Sequence, residues 1–393
     1  MKKVLSLALA AVMTTAMLAG CGGEKSAASN PGTSTANAAK GSVIKVGNSG
    51  PLTNDYAMYG KAVEYGLKLG FEEINAKGGL QYEVRVEDDE GDSEMAVNSY
   101  NTLMDWGMQI MAGATTSNCA FTTGTLCAED RVFMLTPSGS DPNIITTGDN
   151  VFQICFSDPN QGVASADYII GRYPDSKVGL IYESSNPYSV GVRDTFVAEA
   201  KEKGLNVVCE ESYTGDNKAD LSTQVTKCQA MGCDLVFMPI YSVEGAQVLT
   251  YADRIGYAPL FFGCDGLDGI LAVEGFDPKL AEGVLLLTPF DATAEDERVQ
   301  AFVKNYTEKF GIAPNQFAAD AYDVAYAIDQ ACQAAGVTPD MDSAEICDKL
   351  VEQMLTMTFS GITGDNMTWG ADGAVSKLPK AVKIQNGVYV TAD

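Results

Sequence analysis

The 393-residue chain contains no histidine. That excludes Ser-His-Asp and Cys-His catalysis, and with them the usual zinc ligand sets. Basic residues are also scarce, 26 Lys and Arg against 52 Asp and Glu. A nucleic-acid partner would require a basic patch to offset phosphate charge, and this balance argues against one. Ten cysteines are present, yet none has the Cys-x-x-Cys spacing of a metal or redox pair. No apolar run reaches the roughly 20 residues of a membrane-spanning helix. The sequence therefore carries no expectation of a metal, a cofactor or a nucleic acid.

What is present begins at the N-terminus. Lys2 and Lys3 precede a short, alanine-rich apolar stretch over 4–18, followed by Leu18-Ala-Gly-Cys21. This is the layout of a secretory signal. Leu-Ala-Gly-Cys resembles the lipobox of bacterial lipoproteins, which implies cleavage before Cys21 and a lipid on its sulfur. Residues 22–41 are mostly small and polar, a flexible tether. About 350 residues follow, more than one core usually holds, so two domains are expected. Nine cysteines follow Cys21. An odd number in an exported chain leaves at least one free thiol. Cys119 and Cys127 fall about 12 Å apart along one predicted helix, too far for a disulfide. Most of the nine sit in apolar segments and read as small core residues.

The organising stretch runs over 110–141. Two apolar runs, 110–112 and 132–135, read as buried parallel strands. Each ends in small polar residues, Gly113-Ala-Thr-Thr-Ser117 and Thr136-Pro-Ser-Gly-Ser140. In open α/β sheets, ligands bind outside the carboxyl ends of strands. Ser117 is placed to cap the following helix and aim its first amides at a carboxylate. The pair predicts one wall of a cleft.

Around this wall the chain alternates. A strand over 43–48, a helix over 60–77, a strand over 82–87 and a helix over 94–106 complete one β/α series. A second series follows, with helices over 161–172, 188–203, 221–231 and 243–255. Its strands fall over 177–182, 205–209, 234–238 and 259–262. Three helices near 295–310, 316–335 and 343–357 break the alternation. Short antiparallel strands over 367–369, 381–384 and 388–391 close the chain.

The order and spacing of several segments resemble the substrate-binding proteins of the branched-chain amino-acid type, the extracellular receptors of ABC importers. The carriers are Ile44-Lys-Val-Gly47, Gly50-Pro-Leu52, Tyr59-Gly60, Ile74-Asn-Ala-Lys-Gly-Gly79 and Asp88-Asp89. Leu135-Thr-Pro137, Asp158 with Gln161-Gly162, and the run from Gly361 to Gly373 complete them. The resemblance implies an α/β fold of two doubly wound parallel-sheet lobes joined by three crossovers, of the type I periplasmic-binding kind. Those crossovers would fall near 154–158, 288–291 and 359–364. The first lobe would comprise 42–156 and 291–362, the second 157–290 and 363–393.

It further implies a pocket. Ser117 matches the residue holding a ligand α-carboxylate, and Ser138 and Ser140 match the pair that contacts carboxylate and ammonium. Tyr188 matches the aromatic that closes over the ligand, Tyr241 the residue beside the ammonium, and Asp265 its acidic partner, usually glutamate. Tyr59 and Phe317 match the side-chain end of the pocket. The disulfide of the family pattern would fall on Gly91 and Thr116 and is absent. The shorter Asp265 and the two serines favour a smaller or more polar amino acid.

The implied function is a non-enzymatic, monomeric binding protein, lipid-anchored outside the cytoplasm, that delivers an amino acid to an ABC permease. The alternatives are an aromatic or other carboxylate ligand lacking an amine, or a ligand-sensing ectodomain. A hydrolase using the acidic run Asp88, Asp89, Glu90 and Asp92 is the enzymatic reading, and a solvated turn explains that run more simply.

Overall fold

The computed structural model describes residues 42–392. Cys21, the signal segment and the tether lie outside the described residues. The first sheet contains β1 (Ile44–Gly50), β2 (Tyr82–Asp88), β3 (Ile110–Met111), β4 (Phe133–Thr136) and β5 (Val151–Gln153). Its order is β2-β1-β3-β4-β5, and every pairing is parallel. The second contains β6 (Val178–Glu183), β7 (Val207–Tyr213), β8 (Leu235–Met238), β9 (Leu260–Gly263) and β10 (Leu285–Thr288). These run β7-β6-β8-β9-β10, again parallel, and repeat the strand order of the first sheet. Antiparallel β11 (Lys380–Gln385) and β12 (Val388–Thr391) extend the far edge. In both sheets the strand order reverses beside the first strand, which opens a crevice at the carboxyl ends.

Helix α1 (Ala57–Lys77) buries Val63, Leu67, Phe71 and Ile74 on one stripe, the spacing that predicted it. It starts one turn earlier than expected and ends at Gly78, whose φ of 79° few other residues tolerate. After β10 the chain returns to the first sheet as α8 (Glu297–Phe310), α9 (Gln316–Ala334) and α10 (Ser343–Met354), which bury Phe302, Val324 and Leu350 in the core that holds α1. Helices α1 and α9 meet closely through small residues. A Cβ on Gly66 would stand 2.2 Å from the Ala318 carbonyl oxygen, and one on Gly70 would stand 2.7 Å from the Ala325 Cβ.

Between α10 and β11 the chain does not run straight back to the second sheet. Met367 and Trp369, expected with the closing strands, pack in the first core instead. The Trp369 indole N–H donates to the Gln153 carbonyl at 2.7 Å, and isolated antiparallel bridges join Phe359 to Met367 and Trp369 to Val375. A buried indole must place its N–H, and β5 offers the acceptor. The acidic run after β2 is consumed by the backbone. Asp88 accepts from the Leu52 and Glu90 amides, Asp89 from Ser49 Oγ and the Gly91 amide, and Asp92 caps α2 (Ser93–Trp106).

A buried ion pair anchors the last passage between the sheets. Lys377, only 1% exposed, donates to Asp320 Oδ1 of α9 at 2.5 Å and to Thr363 Oγ1 at 2.8 Å. Asp323, one turn on, accepts from the Ile362 and Thr363 amides at 2.9 Å. Burial still pushes Asp320 up to about 6 against the pull of Lys377. Removing the ammonium would strand a carboxylate in the core, so Lys377→Ala is expected to cost about 3–5 kcal/mol in urea unfolding. A loss below about 1 kcal/mol would show that water reaches Asp320.

Candidate functional site

The carboxyl ends of the two sheets meet around one enclosed cavity. From the first sheet come Thr115, Thr116 and Ser117 after β3 and Ser138 and Ser140 after β4, while Tyr59 projects from α1 and Phe317 from α9. From the second come Tyr241 after β8, Asp265 and Gly266 after β9, and Tyr188 on α5 (Pro187–Lys203). All eight residues singled out from the sequence, Ser117, Ser138, Ser140, Tyr188, Tyr241, Asp265, Tyr59 and Phe317, line this space. The space is nearly shut, with a cavity volume of about 10 Å³, about what one water molecule needs.

Local geometry differs from expectation at Ser117. Helix α3 (Ser117–Glu129) has Thr116 at its N-cap position, and Thr116 makes no side-chain cap bond. The Ser117 hydroxyl turns instead to the neighbouring strand end, accepting from the Ser140 and Asp141 amides at 3.3 and 3.4 Å. The reason is proximity. β3 and β4 are adjacent in the sheet, so their exit loops compete for the same hydroxyl. Thr115, Thr116 and Ser117 still line the cavity at the start of α3, and the Thr115 hydroxyl has no hydrogen-bond partner. This wall offers donors.

The opposite end offers acceptors. Asp265 Oδ2 accepts from Gln161 Nε2 at 2.9 Å, but Oδ1 has no partner. Asp158, the first residue of α4 (Asp158–Arg172), is fully buried beside Ser140 but lies outside the cavity lining, its carboxylate packed against Gly191 of α5. Burial pushes Asp265 up to about 7, eased by Tyr188 and Gln161. Burial also raises Asp158 well above the usual carboxylate range, eased by a hydrogen bond with the Ser140 side chain, while the charge of Asp265 adds to the rise. Thr115, Thr116 and Gly266 line the cavity without being singled out from the sequence; the two threonines stand in the small polar run after β3 that marks the wall.

Aromatic rings close the remainder. Tyr59 packs edge-on against Phe317 at 4.9 Å, Tyr241 lies 5.2 Å from Tyr59, and Tyr188 stacks on Tyr241 at 5.3 Å. The Tyr59 hydroxyl ties the two halves together, donating to the Gly266 carbonyl at 2.7 Å and accepting from the Ser242 amide at 2.8 Å. Tyr188 Oη accepts from the Gly266 amide at 3.1 Å. The site thus has a hydroxyl-lined wall, an end with one partly unpartnered carboxylate, and an aromatic lining between them.

A family model described as periplasmic binding protein matches residues 43–387. The Leu/Ile/Val-binding protein homolog 3 of Brucella melitensis is 30% identical over 338 residues, covering 82% of this chain and 88% of that protein. The Streptococcus pneumoniae branched-chain amino acid transporter substrate-binding protein LivJ, solved with isoleucine, superposes with a TM-score of 0.80 at 25% identity, covering 89% of this chain and 99% of LivJ. A solute-binding protein of an ABC transporter from R. palustris, solved with benzoate, superposes at 0.79 with 20% identity, covering 89% and 95%.

Burial of the Asp265 carboxylate should weaken the fold in a pH-dependent way. The folded pKa of Asp265, about 7, lies above its unfolded value, so its burial penalty is absent below about pH 4 and complete above about pH 7. Asp265→Asn is expected to stabilise the unliganded protein by roughly 2–4 kcal/mol at pH 8 and negligibly at pH 4. Urea unfolding at the two pH values checks this, and a pH-independent effect would contradict it.

Proposed function

The chain belongs to the periplasmic binding protein family, and from that premise we propose that it is the solute-binding component of an ABC importer, taking a small free amino acid between its lobes. The family acts in transport outside the cytoplasm, and no helix among the described residues is long and apolar enough to cross a membrane. The observation that carries the reading is Asp265, which lines the cavity with its Oδ1 unpartnered. An α-amino acid brings an ammonium to that end and a carboxylate to the amides and hydroxyls at the start of α3. An amine-free acid would leave Asp265 buried and incompletely paired, which is costly. The serine and threonine hydroxyls of the lining favour a small or polar side chain.

Binding then works by differential contact. Ser117, Ser138 and Ser140 hold the ligand from the first lobe, and Tyr188, Tyr241 and Asp265 reach it only when the second lobe is closed. The ligand therefore favours the closed arrangement in proportion to those second-lobe contacts. A permease that reads the closed shape would receive loaded protein. We place the lobe boundaries at the three passages between the sheets, and a lipid on Cys21 as the anchor; Cys21→Ser should move the chain from the membrane fraction to the soluble one.

A second reading rests on the aromatic lining. Tyr59, Tyr188, Tyr241 and Phe317 would also suit the ring of an aromatic acid, and the benzoate-bound relative shows that this fold accommodates such a ligand. A thermal-shift screen of the mature chain separates the two. Stabilisation by one or a few amino acids, absent with their deaminated analogues and lost in Asp265→Asn, is the expected result. Stabilisation by amine-free acids alone would establish the second reading. Because the ammonium needs an ionised partner, affinity should also fall below about pH 7, by up to about tenfold per pH unit as the carboxylate must release a proton.

A further inference from the structure

Three cysteines from consecutive elements of the chain converge in the second lobe, outside the cleft. Cys209 lies on β7, Cys228 on α6 (Ser222–Ala230), and Cys233 in the turn that leads to β8. All three are buried, and their sulfurs lie within 4.8 Å of one another, Cys228 and Cys209 at 3.8 Å. The convergence is built by the backbone. Gly232 adopts a φ of 70° after the end of α6, and the Cys233 amide turns back to the Cys228 carbonyl at 3.1 Å. On the neighbouring strand β6, Gly179 supplies the room. A Cβ there would stand 3.0 Å from both the Cys228 and Cys233 sulfurs.

We propose that Cys209, Cys228 and Cys233 form a three-sulfur site for a soft monovalent metal ion, Cu(I). The donor set selects the ion. Thiolates prefer soft cations. A structural zinc site takes four protein ligands, whereas no carboxylate joins this trio among the described residues and the chain has no histidine. Three mutually close sulfurs with apolar neighbours, Leu221, Val225 and Val236 among them, provide a three-coordinate pocket that excludes water. Cys209 sits on the edge strand of its sheet, 8% exposed, and is the point of entry. Lys227, on the surface above it and paired to Glu211 at 2.6 Å, offsets part of the negative charge. Each ligating thiol gives its proton to solvent on binding, and copper arrives already reduced, so no electron is exchanged.

The site is independent of the amino-acid reading, since none of the three cysteines lines the cleft. The mature chain, reduced and kept without oxygen, is titrated with Cu(I) held by a chromogenic competing chelator. One equivalent should bind, protecting three of the nine buried thiols from alkylation in partly unfolding conditions. Cys209→Ser, Cys228→Ser and Cys233→Ser should each lose stoichiometric binding, while Cys119→Ser and Cys332→Ser retain it. Should Cys228→Ser fail to fold, the alkylation footprint of the unmutated chain decides. Protection of other cysteines, a preference for Zn(II), or a disulfide among the three that forms in air and survives added Cu(I) would overturn the proposal.

Discussion

A carboxylate shut away from water requires a partner, and the cavity of this protein holds one that is incompletely satisfied. Asp265 follows β9, Gln161 donates to one of its oxygens, and the other has no hydrogen-bond partner. Nothing in folding alone would favour that arrangement, since it raises the free energy of the native state. It persists because the surrounding structure is settled elsewhere, in the aliphatic and aromatic core that holds β9. On the proposed reading, a ligand cation supplies the missing partner.

The geometry that allows this is a repeated strand order. In each sheet the chain leaves the first strand to one side and returns to the other, so loops diverge at the carboxyl ends and a hollow opens between them. Placing two such hollows face to face doubles the number of strand ends available to one ligand. Helices α8 to α10 then lock the first sheet from behind, and the buried Lys377–Asp320 pair pins the final passage. Rigid lobes with a small number of connecting segments confine movement to those segments.

Much of this could be read from residues alone. The parallel strands of the opening wall, the apolar stripe of α1 and the aspartate after β9 announce themselves through local pattern or matching motif, and the eight candidate residues converge on one cavity. The failures share a cause. Ser117 reads as a cap because sequence shows only the helix that follows it, whereas adjacency of β3 and β4 gives its hydroxyl a different partner. Met367 and Trp369 read as part of a terminal sheet because their pull, the Gln153 carbonyl, lies more than two hundred residues away. Asp158 reads only as a marker of resemblance, since its burial against Gly191 comes from the packing of α4 on α5. Cys209, Cys228 and Cys233 show no motif, because turn geometry and a strand glycine, not spacing, bring them together. Local chemistry is legible in a sequence; which distant groups leave it unsatisfied is not.

The Tyr59 hydroxyl also sets how the two sheets meet. It donates to a carbonyl and accepts from an amide in the loops of the second sheet, so parting the sheets breaks both bonds together. Each is exchanged for a bond to water, a net change of only about 1 kcal/mol. This one phenol therefore contributes register far more than strength, fixing where the halves touch while resisting their separation little.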